Sequence, residues 1–220
     1  MPRTEEVSQQ PVWAEEATHR AANLQHLVTN LDRLLDDRKV DSANRVRAHA
    51  RANALVRAYQ SLDEDLHAGP CSCAPEIKAI ASGLVELYGH TLGSVVLCLE
   101  LQPILLAGEA RRALVLAASE LVVNALRHAF GTRQTGTIEI WLYRDQEARQ
   151  DVLAVADDGV GLSNFDGAGG MGHSIVRGLA KVLEGEVVWR RSPLLGGAEV
   201  MLRFPSPEPP DNQTACCAIQ

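Results

Sequence analysis

Aromatic side chains are scarce in this sequence: Phe, Trp and Tyr together make up 4% of it. A large aromatic core is therefore excluded, and Leu, Val and Ala must carry the packing. Long apolar runs are also missing. No stretch approaches the roughly 20 apolar residues that a membrane helix needs. The opening MPRTEEVSQQPVWAEE lacks the apolar segment of a signal peptide. Surplus positive charge is absent, since the formal net charge is -7. General nucleic-acid affinity is thereby disfavoured, because neutralising phosphates takes excess Lys and Arg. Cysteine is sparse and odd in number. Cys71, Cys73, Cys98, Cys216 and Cys217 have no metal-site spacing, so a reduced, cytoplasmic setting is the simplest expectation.

The 220 residues, 46% apolar and 22% charged, suffice for one sizeable core or for a small helical domain plus an α/β domain. The chain reads as the second arrangement. Residues 1–10 are polar and form a flexible N-terminus. Over 11–37, Val12, Leu24, Leu27, Val28, Leu31, Leu34 and Leu35 recur mostly at spacings of three and four, the signature of an amphipathic helix. A turn at 36–39 follows. Asp41 or Ser42 can cap a second helix to about Leu66, whose Val46, Ala50, Ala54, Leu55, Ala58 and Leu62 share one face. Two such helices make an αα-hairpin that buries too little alone. Homodimerisation through residues 11–66 into a four-helix bundle completes it; the alternative is a hairpin folded against its own C-terminal domain.

His67-Ala68-Gly69-Pro70 marks the boundary between a hairpin domain at 11–68 and a second domain at 72–205. In the second domain the patterns predict a helix at 74–88, a strand at 94–101 and a long helix at 110–129. Strands follow at 137–143 and 152–157, then a Gly-rich stretch at 159–172 and a helix at 171–183. Strands at 185–191 and 197–204 close the fold, and 206–220 is a flexible tail. The fold class is α+β: a helical hairpin, then an α/β sandwich with one mixed sheet covered by helices on one face.

Three elements carry chemistry. Glu120, Asn124 and His128 stand at i, i+4 and i+8 of the long helix, a polar row opposite apolar Leu121, Val122, Ala125 and Leu126. A carboxylate and a carboxamide one turn apart suit a hydrated Mg²⁺ bridging to phosphates, whereas a plain solvent-facing stripe is the alternative. Asp157-Asp158-Gly159-Val160-Gly161 follows a strand, where a carboxylate can accept from a purine amine and glycines admit close backbone approach. Gly167-Ala168-Gly169-Gly170-Met171-Gly172 feeds a helix N-terminus, whose free N–H groups favour phosphate.

In this order and spacing, the three elements resemble the N, G1 and G2 boxes of the GHKL superfamily, to which histidine kinases, gyrase and Hsp90 belong. The resemblance implies an ATP site with Mg²⁺. Asn124 would hold the metal together with Glu120 through the phosphates, and Asp157 would read adenine beside Gly159 and Gly161. Gly170, Met171 and Gly172 would line the phosphates, and Arg127 and His128 would lie near them. Gly196-Gly197 fits the family's small-residue turn. Only residues 162–166 separate the two Gly clusters, a short lid that implies ready nucleotide exchange.

His19-Arg20-Ala21-Ala22-Asn23 is similar to the phosphoacceptor box of short-lid histidine kinases, a sister group of the HWE family. The resemblance covers about 11–205. It implies ATP-dependent autophosphorylation on His19, followed by transfer to an aspartate in the receiver domain of a response regulator. Glu120, or Glu16 one turn before His19, would assist as base. The alternatives are a histidine phosphotransferase of the same architecture with little autokinase activity, and an anti-sigma-factor-type serine kinase. Neither nucleic acid nor membrane is an expected partner. Departures from the family pattern include Ala22 where Lys is frequent and His173 where Leu is common. Trp13, Trp141 and Trp189 are too dispersed for a stacking platform and read as packing residues.

Overall fold

A computed structural model describes residues 59, 62, 69–92, 94–131, 133, 135–161 and 171–206. His19, Gly170, the lid at 162–166, the tail beyond 206 and all of the hairpin except Tyr59 and Leu62 lie outside the described residues.

The chain enters through β1 (Cys71–Ser72) and α1 (Ala74–Leu92), followed by β2 (Ser94–Leu101), β3 (Leu105–Leu106) and α2 (Gly108–His128). Next come β4 (Thr135–Asp145), β5 (Gln150–Asp157), α3 (Met171–Val182), β6 (Glu186–Arg191) and β7 (Ala198–Pro205). Each longer element falls where the sequence periodicity places it. The pairing of β1 with β3, Cys71 opposite Leu106 and Ser72 opposite Leu105, was not foreseen. Two-residue strands are too short to carry a period.

The main sheet has the order β2-β4-β5-β7-β6. β2 and β4 run parallel, with Leu97 opposite Ile138, and the other neighbours are antiparallel. A parallel pair needs a crossover connection, and the stretch containing α2 supplies it. Strand alternation sends Ile138, Ile140, Leu142, Leu153, Val155, Leu202 and Phe204 into the core shared with the helices. α1 contributes Ile77, Ile80 and Leu84 to that core, α2 contributes Leu114 and Val122, and α3 contributes Val176 and Leu179. In β5, Val152, Ala154 and Ala156 of the opposite alternation are buried as well. This accounts for a continuous apolar run where the strand occupies the sheet centre.

The scarcity of aromatics shows in the interior, where Phe130 and Phe204 are accompanied mainly by Leu and Ile. Tyr59 and Leu62, from the segment assigned to the hairpin, join the same cluster, and Leu62 is only 2% exposed. Arg111 near the start of α2 is buried and holds Glu76 of α1 at 2.6 Å. At the far end of the sheet, buried Asp151 receives Arg144 at 2.7 and 2.9 Å and the Ser206 hydroxyl at 2.8 Å. Cys73 is fully buried, and burial pushes its thiol up to about 12, so it stays protonated and inert. Among the described residues, no helix is long and apolar enough to cross a membrane.

Candidate functional site

α2 spans 21 residues, about 30 Å, and is buried along most of its length. Its polar row emerges by degrees: Glu120 is 4% exposed, Asn124 is half-buried and His128 is exposed. The solvent-facing stripe is thus excluded at Glu120. The last turn carries Arg127 and His128, a favourable position for cations beside unsatisfied carbonyls.

The loop after β5 is sewn to the end of that helix. The Val160 amide donates to the Ala129 carbonyl at 2.8 Å. A side chain at Gly159 would place its Cβ 2.2 Å from the same carbonyl oxygen, so only glycine allows this approach. Asp157 is buried, and its Oδ1 accepts from the amides of Gly159 at 2.9 Å and Ala198 at 3.1 Å. No hydrogen bond among the described residues engages Oδ2. Burial pushes the Asp157 carboxyl up, outweighing the two amide donors that favour its ionised form, and the Asp158 charge adds to the rise. One oxygen is therefore fixed by the backbone while the other remains available to a donor. Asp158 braces the turn: its Oδ1 accepts from the Thr137 amide at 2.8 Å, and Arg133 donates to its carbonyl at 2.6 Å.

The β6–β7 turn completes this end. A Cβ on Gly197 would lie 2.3 Å from both the carbonyl oxygen and Oδ1 of Asp157, and one on Gly161 would lie 3.7 Å from Gly197. Gly161 and Gly196 adopt φ of +76° and +81°, the left-handed region that favours glycine.

The other end is formed where α3 meets α2. A Cβ on Gly172 would lie 3.0 Å from Asn124 Oδ1, so the carboxamide looks onto the first turn of α3 across a space that a side chain at 172 would crowd. His173 packs on Trp189, their centroids 5.3 Å apart, and the Arg177 guanidinium lies 5.1 Å from the same ring. Burial, then the charges of Arg177 and His128, hold the His173 imidazole below its ordinary range. The Arg177 guanidinium thus lies at this end together with the His173 imidazole.

The structure brings Asp157, Gly159 and Gly161 together at one end and Asn124 and Gly172 at the other. Arg127 and His128 close α2, and Met171 opens α3. Sequence reasoning took Gly197 only as a turn residue and Trp189 only as packing. It gave no signal for Arg133, whose role depends on a loop conformation. The arrangement offers an acceptor for an amine-bearing ring at one end and amides with cations for an anion at the other. Among the described residues, no group of three or more His, Cys, Asp or Glu could hold a metal ion. Glu120 and Asn124, a carboxylate and a carboxamide one helical turn apart, are of the oxygen-donor type that a hydrated Mg²⁺ accepts.

Residues 109–208 match the family described as histidine kinase-, DNA gyrase B-, and HSP90-like ATPase. This segment is a GHKL-type ATPase domain. Its fold is shared with the histidine kinase domain of the Erythrobacter litoralis EL346 blue-light activated histidine kinase. That likeness has a TM-score of 0.57 at 21% identity and covers 84% of this chain and 94% of that one. The longer Erythrobacter litoralis EL346 protein gives a TM-score of 0.54 at 22% identity; 86% of this chain aligns, spanning 63% of that one. No curated protein matches the chain significantly. The three motifs of the sequence fall on α2, on the Asp157–Gly161 turn and at the start of α3.

Proposed function

We propose that the chain is a histidine kinase. In this reading it binds ATP with Mg²⁺, autophosphorylates on His19 and passes the phosphoryl group to a receiver-domain aspartate of a response regulator. The observation that carries the nucleotide half is Asp157, with one carboxylate oxygen held by two backbone amides and the other left for an adenine amine. Asn124 against Gly172 supports a phosphate and Mg²⁺ end. Arg127, His128 and the amides around Gly170, Met171 and Gly172 would neutralise charge on the phosphates.

In the transfer, a nitrogen of His19 forms a bond to the γ-phosphorus while the bond to the ADP oxygen breaks. ADP departs, and the imidazole proton passes to a base. Glu120 or Glu16 is the proposed base. The receiver aspartate then attacks phosphohistidine and regenerates His19. A homodimer through residues 11–66 would present the acceptor helices.

The test is incubation of the full chain with γ-labelled ATP and Mg²⁺, as wild type and as His19→Gln. The expected result is acid-labile, alkali-stable label on the wild type and none on the variant. Acid-stable label on an added partner would instead mark a serine kinase. Absence of label, with phosphate accepted from a phosphorylated receiver domain, would mark a phosphotransferase. Either outcome overturns the kinase reading.

A further inference from the structure

α2 is held by directional bonds at widely separated places among the described residues. Near its start Arg111 is bonded to Glu76, and at its end the Ala129 carbonyl takes the Val160 amide. Midway, the hydroxyls of Tyr59 and Ser119 are hydrogen-bonded to each other, and both residues are buried. The first two anchors come from the neighbouring α/β elements. The third comes from residue 59, ahead of the boundary at 67–70, where Leu62 seats in the same core. Tyr59 and Leu62 are three apart, the spacing that places two side chains on one helical face.

Close packing of its buried side chains sets the rotation of α2, and a directional bond sharpens that setting. Rotation of the helix would break the buried Tyr59–Ser119 bond, so that bond opposes it. Successive helical residues are about 100° apart, so Glu120 stands roughly 100° around from Ser119, and Asn124 roughly 140°. Fixing Ser119 therefore fixes the direction in which both site residues project.

We propose that Tyr59 is a positioning residue of the nucleotide site, acting through Ser119 to set the azimuth of α2 and hence the aim of Glu120 and Asn124. The inference rests on the nucleotide reading above and adds to it a control point outside the GHKL domain. Asp157, Gly159 and Gly197 belong to other elements, so loss of the bond should disturb the Mg²⁺ and phosphate end and spare the adenine end.

The experiment measures the dissociation constants of adenosine and of Mg·ATP for the full-length wild type, Tyr59→Phe, Ser119→Ala and the double variant, each with its thermal midpoint. The expected result for either single variant is adenosine affinity within about twofold of wild type and Mg·ATP affinity weaker by about fivefold or more. The double variant should lose no more Mg·ATP affinity than either single variant and recover none of it, because both changes remove the same bond. A purely structural role would instead lower the thermal midpoint and both affinities together. Should Tyr59→Phe fail to fold, Ser119→Ala supplies the same comparison. An unchanged ratio of the two affinities in the single variants, or its recovery in the double, overturns the inference alone. A wild type that binds neither ligand overturns the nucleotide reading and the inference with it.

Discussion

Asp157→Asn is expected to fold, gain stability at neutral pH and lose adenine recognition. The carboxamide oxygen can still accept from Gly159 and Ala198, so the anchoring geometry survives. In place of Oδ2, however, the variant presents an NH₂ donor to an exocyclic amine that is itself a donor. Losing a hydrogen bond to a charged group costs about 1.5–3 kcal/mol, which is roughly a ten- to hundredfold rise in Kd. The stability effect has the opposite sign. Burial raises the folded-state pKa of Asp157, so the native protein binds this proton more tightly than the unfolded chain does. The stability associated with the group is fully present below its unfolded value and is lost as pH rises through the folded value. Above that value the wild type bears the cost of a buried charge that the asparagine avoids. Thermal midpoints of the two proteins should therefore diverge as pH rises and converge in acid. A midpoint difference that grows on acidification would contradict the assignment.

Gly197→Ala is expected to damage both the fold and the site, whereas Gly196→Ala next to it should do far less. The added methyl at 197 meets the carbonyl oxygen and Oδ1 of Asp157 at 2.3 Å and the Gly159 amide nitrogen at 2.6 Å. None of these can yield without displacing the turn that presents Asp157, so the cost is about 1–3 kcal/mol of overpacking or more, with adenosine affinity lost as well. At Gly196 nothing lies within 4 Å of the added Cβ, and only φ of +81° opposes it, a cost of about 1 kcal/mol. Chemical denaturation of both variants, with adenosine titrations, checks the contrast. Comparable losses would show that the crowding around Asp157 is not what fixes the turn.

Much of this was legible in the sequence because period and punctuation are local. The alternation of Thr137–Tyr143 and the three- and four-residue spacing along α2 placed the strands and helices to within a few residues. The glycines after Asp157 and before His173 marked where neighbouring elements approach closely, Gly159 against Ala129 and Gly172 against Asn124. What escaped depended on contacts distant in sequence. Cys71–Ser72 pairs with Leu105–Leu106 through a ladder too short to have a pattern. Arg133 reaches Asp158 only because a loop folds back. Tyr59 looked like one more helix residue, since a boundary drawn from Gly and Pro cannot reveal that a side chain ahead of it docks in the next domain's core. The depth of Glu120 was likewise invisible, because a row at i, i+4 and i+8 fixes a face and not its burial.

The proposed function stands on a nucleotide site with its adenine end at Asp157 and its phosphate end at Asn124 and Gly172. Calorimetric titration of the full-length wild type with adenosine and with Mg·ATP tests it most directly. Saturable one-to-one binding of both is expected, with Mg·ATP the tighter ligand. Heat no greater than dilution for both ligands would contradict it.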